Sequence, residues 1–205
     1  MKLYSLFLLM ATATVFSPGP GVVMTLTNSL RYGVRGTIGG IFGIAFGALV
    51  VAAISATSLG VLLATSAMAF MVMKYIGAAY LIYLGIKLWR SQGFRFTEMQ
   101  THSASFGKRF LEGLSLQLTN PKAIFFFLSV FPQFIDPSAA YAKQFLLLVL
   151  TYSSLVVVIH CIYAFSAQRA KAWLVSEKGG RIINKTGAAT FLFFGAMLAT
   201  AKKSA

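Results

Sequence analysis

Tyr4 to Leu30 reads YSLFLLMATATVFSPGPGVVMTLTNSL, a stretch without one charged residue, interrupted midway by Ser17-Pro18-Gly19-Pro20-Gly21. A helix needs about 17–25 apolar residues to cross a bilayer, so the stretch is long enough for one crossing. Its start resembles a cleavable signal peptide, with Lys2, an apolar run from Leu3 to Leu9 and the triplet Ala11-Thr12-Ala13. Cleavage after Ala13 would leave a stub too short to span, so the stretch is read as a first transmembrane helix. Whatever Ser17 to Gly21 does therefore happens in the middle of a membrane.

The rest of the chain fits that solvent. Of 205 residues, 58% are hydrophobic and 11% charged, with mean hydropathy +0.77, whereas about a quarter of a soluble domain is charged. The net charge of +14 would suggest nucleic acid in a soluble protein. Here the lysines and arginines fall in short stretches between apolar runs, which is a topology signal rather than a nucleic-acid surface. Cys161 is the single cysteine, so no internal disulfide forms.

Working outward, the second span is expected at about 37–63, the third at 68–89, the fourth at 110–131, the fifth at 144–168 and a short sixth at 186–201. A turn near Thr65-Ser66 divides the second from the third, because the charge-free run from Gly36 to Met73 is too long for one crossing. The polar stretch from Arg90 to Lys108 reads as a flexible linker. Basic residues concentrate after spans one, three and five: Arg31 and Arg35, then Lys87, Arg90, Arg95, Lys108 and Arg109, then Arg169, Lys171, Lys178, Arg181 and Lys185. The positive-inside rule makes that side cytoplasmic and leaves both termini outside.

Two correspondences point to an internal repeat. Gly77, Ala78, Ala79, Gly85 and Leu88 match Gly187, Ala188, Ala189, Gly195 and Leu198 at one constant offset, and Ser17-Pro18 in span one corresponds to Asn120-Pro121 in span four. Three spans per half is an odd number, so the halves enter the membrane in opposite directions, as in many secondary transporters. The expectation is an all-α integral membrane protein of six transmembrane helices. They form an inverted 3+3 repeat with broken first and fourth helices, in a single domain over 1–205. Repeat one covers about 4–89, the loop 90–108 and repeat two 109–201.

Serine and asparagine favour helix N-caps and proline the first helical position, so both breaks read as helix starts at mid-span. Irregular backbone is tolerated there only against protein or a water-filled cavity, and a helix N-terminus favours a carboxylate. The candidate substrate-binding or helix-break residues are Ser17, Pro18, Gly19, Pro20, Gly21, Asn120, Pro121 and Lys122. Lys122 is the one basic residue deep in a span, where a charge costs at least about 2.5–3.5 kcal/mol; snorkelling to an interface is its bland alternative. His160 in span five is a candidate proton relay, and equally a histidine hydrogen-bonded between helices. Gly39, Gly43 and Gly47 form a stripe for close helix approach, within the chain or in a homo-oligomer. Gly77, Gly85, Gly187 and Gly195 are expected in helix packing. No cofactor is expected. Cys161 and His160 lack the further ligands a metal path needs. Four acids and two histidines supply no catalytic cluster, which argues against a membrane-embedded enzyme; a structural subunit of a membrane complex would not need matching broken helices.

Ser17-Pro18-Gly19-Pro20-Gly21, the segment Gly77 to Gly85, and Leu118-Thr119-Asn120-Pro121-Lys122 resemble the hallmarks of the LysE/RhtB family of amino-acid exporters, over nearly the whole chain. Phe131 to Ile135 and Lys74 to Trp89 are similar to its homoserine and homoserine-lactone efflux branch. The resemblance implies a bacterial inner-membrane permease that expels small amino acids such as homoserine or threonine, or their derivatives, driven by the proton gradient, with amino acid and membrane lipid as partners. Gly21 stands where many relatives have asparagine. Spans two and five also lack the acid many relatives carry, which leaves His160 or the substrate's own charge for proton coupling.

Overall fold

The computed structural model describes residues 4–65, 67–90, 105–136 and 138–200, and among them the regular elements are all helical. In chain order they are α1 (Tyr4–Phe16), α2 (Pro20–Thr65), α3 (Ala67–Arg90), α4 (Phe106–Leu118), α5 (Pro121–Phe125), a π-helical turn (Phe126–Val130), a 3-10 turn (Phe131–Phe134), α6 (Tyr141–Arg169), α7 (Lys171–Val175) and α8 (Glu177–Thr200). Two segments, Pro20–Ala56 and Tyr141–Arg169, are long and apolar enough to cross a membrane by length and composition.

α2 is a hairpin, not a rod. Gly33 adopts φ 70° and ψ 178°, the one positive φ among the described residues, a conformation that a Cβ would strain. The chain reverses there, so Gly21 lies against Ile44, and Gly40 against Met24 and Asn28. The two arms, 20–32 and 34–65, therefore run antiparallel. The turn falls between the first two expected spans, beside Arg31 and Arg35.

α6 packs between these pieces. Tyr4 hydrogen-bonds Thr151 at 3.0 Å, the Tyr163 hydroxyl donates to the Phe16 carbonyl at 2.6 Å, and Ser29 donates to the Ala164 carbonyl at 2.6 Å. α1 and the first arm thus run parallel to α6, and the second arm runs against it. Phe7, fully buried, meets Phe134 with ring centroids 5.3 Å apart, and Phe126 and Phe127 each stand 4.8 Å from the ring of Tyr152. This aromatic core binds α1 to the segment after the second break.

α4 lies along the second arm with almost no gap. A Cβ on Gly39 would sit 2.5 Å from the Phe106 carbonyl oxygen, one on Gly43 would collide with that of Phe110, and one on Gly47 would stand 2.7 Å from the Gln117 Cβ. From the other side, Gly113 abuts the Gly40 carbonyl. The stripe's partner in this structure is a helix of the same chain.

α3 and α8 pack mainly on each other, antiparallel. A Cβ on Gly85 would meet Leu192 and the Ala188 carbonyl; one on Gly195 would meet Ile82 and the Ala78 carbonyl. These contacts exchange under the same offset that relates the two sequence segments. Gly77 lies in α3, but its surroundings fall outside the described residues, as do most of the expected linker, with Arg95, and the C-terminal lysines.

In the expected fourth span α4 ends at Leu118 and the chain goes on in shorter helical turns from Pro121. Two elements differ from expectation. α8 begins nine residues before the expected 186, because Glu177 pairs with Arg181 at 2.8 Å one turn on and extends the helix through polar sequence. The short α7 has no counterpart among the expected elements. At one end of the bundle the Arg109 guanidinium stacks 3.8 Å from the Tyr32 ring centroid, Lys185 stands 3.7 Å from that of Trp89, and Gln168 donates to the Ser29 carbonyl. The basic stretches around Arg35, Arg90, Lys108, Arg169 and Lys178 all reach this end.

Candidate substrate site where the two broken helices meet

The first break begins as α1 runs out. The Ser17 N–H still bonds the Ala13 carbonyl at 3.0 Å, and its hydroxyl turns back to donate to the Thr14 carbonyl at 2.8 Å. Pro18 and Pro20 have no N–H to give, and the next helical bond, Val23 N–H to the Gly19 carbonyl at 3.0 Å, belongs to the following helix. Ser17 therefore does not cap the helix ahead, as its position before Pro18 suggests. Gly19 precedes a proline and is biased away from helical backbone, so the helix restarts only at Pro20. The last carbonyls of α1 are left without backbone donors in a low-dielectric interior, where an unpaired polar group is costly.

The second break supplies the missing donors. Asn120 is a true N-cap: its Oδ1 accepts the Lys122 N–H at 3.1 Å, with Pro121 at the first helical position. The Asn120 Nδ2 donates to Gln117 Oε1 at 3.1 Å, which fixes the cap's orientation. From there the Lys122 side chain crosses to the first break. Its Nζ donates to the carbonyls of Thr14 and Ser17, each at 2.9 Å, and to the Ser17 hydroxyl at 3.2 Å. An ammonium has three N–H groups, and all three are used. It sits at the C-terminal end of α1, where the helix dipole favours a cation. Gly19 makes room, since a Cβ there would stand 3.1 Å from Nζ. The Lys122 side chain is turned onto the first break.

His160 reaches the same break from α6. Its Nδ1 is 2.6 Å from the Thr25 hydroxyl, and a Cβ on Gly21 would lie 3.2 Å from its Cε1. Gly187 brings α8 to the break, where a Cβ would stand 2.9 Å from the Pro18 carbonyl oxygen. A groove of about 410 Å³, mostly apolar, runs between α1, α6, α7, α8 and the first arm, with Ser17, Pro18 and Val22 in its wall. That volume falls in the range of small-molecule pockets, ~300–1,000 Å³. Thus Ser17, Pro18, Gly19, Gly21, Asn120, Pro121, Lys122 and His160 come together, while Gly39, Gly43, Gly47, Gly85 and Gly195 lie in helix contacts elsewhere. Among the described residues no three His, Cys, Asp or Glu side chains could hold a metal ion.

Sequence reading missed Thr14, Thr25 and Gln117. A signal for two of them was present: Thr14 and Gln117 each stand three residues before the polar residue of a break, at equivalent positions.

Apolar helices, two of them interrupted, with a buried cation joining the interruptions, are the construction of a membrane transporter rather than of an enzyme. The chain belongs to the LysE type translocator family, whose profile matches residues 12–202. It is 37% identical over 196 residues to the homoserine/homoserine lactone efflux protein of Salmonella typhimurium, covering 96% of this chain and 95% of that one. It is also similar to uncharacterized membrane proteins of Vibrio cholerae, 36% identical over 93% of this chain and 94% of that one, and of Bacillus subtilis, 30% identical over 90% and 92%. No solved structure matches the chain.

Proposed function

We propose that this protein exports small amino acids or close derivatives, homoserine, its lactone and threonine among them, across the bacterial inner membrane. The observation that carries the reading is the Lys122 ammonium at the crossing of the two breaks, with carbonyls and a hydroxyl around it and no acid among its partners. A positive charge at this depth without a counter-charge favours the carboxylate of an amino acid; the lactone, which has none, is included on the relatives' names alone. Because its N–H groups are already engaged, Lys122 acts through its field and through holding the breaks together, not as the direct partner of a carboxylate. The efflux names of the Salmonella relatives supply the direction and the substrate class.

The proposed architecture is the six-span inverted repeat, in one domain with repeats at about 4–89 and 109–201. Its support is the reciprocal pairing of α3 with α8 and the alternating directions of the packed helices. The basic end is taken as cytoplasmic, with both termini outside, and the groove beside Ser17 then opens from the cytoplasmic side. Transport proceeds by alternating access and draws on the proton gradient, with Lys122 and His160 as the titratable groups at the centre.

Purified protein in vesicles is the test. Labelled homoserine should show counterflow, and an imposed pH gradient should drive it uphill. Vesicles that move no amino acid with correctly folded protein would end the export reading. Single cysteines at 91–104 in a Cys161→Ser background should be shielded from an impermeant thiol reagent in intact cells, and ready labelling would invert the orientation.

A further inference from the structure

If Lys122 has no N–H to spare, the groups that hold a substrate carboxylate must lie elsewhere. The first arm of α2 offers some. Pro20 opens it without an N–H, and the N–H groups of Gly21 and Val22 have no backbone partner, since the first bond of that helix comes from Val23. A helix end alone would mean little, but His160 is aimed at it.

His160 is 3% exposed. Its ring lies along the face formed by Gly21 and Thr25, one turn apart, with Nδ1 on Thr25 at 2.6 Å. Its other nitrogen turns toward the helix start, where a Cβ on Gly21 would stand 3.7 Å from Nε2. Hydrogen-bond balance, rather than an observed proton, assigns the tautomer. Thr25 is 0% exposed, and its hydroxyl has one hydrogen bond, to Nδ1. Were it the acceptor, its own O–H would be buried without a partner, which is costly. Thr25 therefore donates, and the proton of the neutral ring is on Nε2. That N–H makes no hydrogen bond to any described residue, and Pro18 and Val22, on either side of the helix start, line the groove.

We propose that the His160 Nε2–H and the N–H groups of Gly21 and Val22 form the seat of the substrate's carboxylate, with Thr25 holding the imidazole in the donating tautomer. This rests on the export reading above and names what the site recognises. It makes His160 a substrate-binding residue and Thr25 a positioning residue.

Homoserine and its lactone separate the idea from its rivals, because ring closure removes the carboxylate while keeping the amine and carbon skeleton. In vesicles of the full-length protein, His160→Phe keeps the ring's bulk and deletes the N–H. It should raise KM for homoserine at least about tenfold, as loss of one charge-assisted hydrogen bond implies, and change KM for the lactone less than about twofold. Thr25→Val, which frees the tautomer, should raise the homoserine KM by about threefold and spare the lactone, and Thr25→Ser should restore it. Both substrates are measured on one preparation, so their ratio does not depend on how much protein inserts. If His160→Phe does not insert, Thr25→Val and Thr25→Ser carry the test. Equal losses for both compounds, or no loss for homoserine, overturn the seat while leaving export standing. Wild-type vesicles that move neither compound overturn export and the seat together.

Discussion

The two breaks share a signature, a small polar residue before a proline, and face opposite ways. At the second, Asn120 turns forward and caps the helix ahead of it. At the first, Ser17 turns backward onto Thr14, and the end it helps to satisfy is that of the helix just finished. The helices beyond the breaks differ too: the first arm of α2 runs on to Gly33, whereas α5 lasts from Pro121 to Phe125 before widening into a π-helical turn. A single cation explains the difference. One break has orphan carbonyls and the other carries the ammonium that satisfies them, so the two are complementary rather than equal. The pairing of α3 with α8 is the contrast, because Gly85 and Gly195 make the same contacts with roles exchanged. Packing asks only for small size on both sides, and symmetry survives it; a buried charge needs a donor on one side and acceptors on the other.

The largest expected effect tests the link itself. Lys122→Met removes the ammonium, leaves the Ser17 carbonyl unpaired and leaves the Thr14 carbonyl with the Ser17 hydroxyl alone. Export normalised to membrane abundance should fall by more than about tenfold, the scale set by losing charge-assisted hydrogen bonds at a buried site. Lys122→Arg keeps the charge with a bulkier, planar head beside Gly19 and should retain part of the activity. Wild-type export by the Met variant would reduce the link to a passive contact.

Proline replacement probes the asymmetry with a smaller effect. Pro121→Ala leaves Asn120 as cap and restores an N–H at a position where helices have no use for it, so export should drop no more than about twofold. Pro18→Ala removes a restraint on a gap that Lys122 and Gly187 both contact, and lets α1 extend toward Gly19. A loss several times larger than that of Pro121→Ala is expected in initial-rate assays. Equal losses would mean that the breaks are equivalent after all.

The smallest effect tests the symmetric region. Gly85→Ala and Gly195→Ala each force a methyl into a contact under 3 Å with Leu192 or Ile82. Overpacking of this kind costs about 1–3 kcal/mol. The two variants should lower the melting temperature in detergent by matching amounts, while Gly107→Ala, with nothing within 4 Å, should leave it unchanged. Unequal shifts would break the reciprocity.

Much of this protein was legible in the chain because a bilayer imposes long-range constraints that act locally. The charge-free run from Tyr4 to Leu30 and the confinement of arginine and lysine to short stretches between apolar runs carry the helical, membrane-embedded build. Composition and spacing suffice for this because lipid satisfies no backbone hydrogen bond and tolerates few charges. Three things were decided only by the tertiary structure. The direction in which Ser17 turns depends on a second proline and on a lysine more than a hundred residues away. The partner of the Gly39–Gly43–Gly47 stripe is α4, although small residues would accept any close helix. The orientation of His160 is set by Thr25 across the bundle. Hydrogen bonds between distant segments leave no periodicity to read, because each needs only one polar atom at the right place, and that place exists only once the helices have packed.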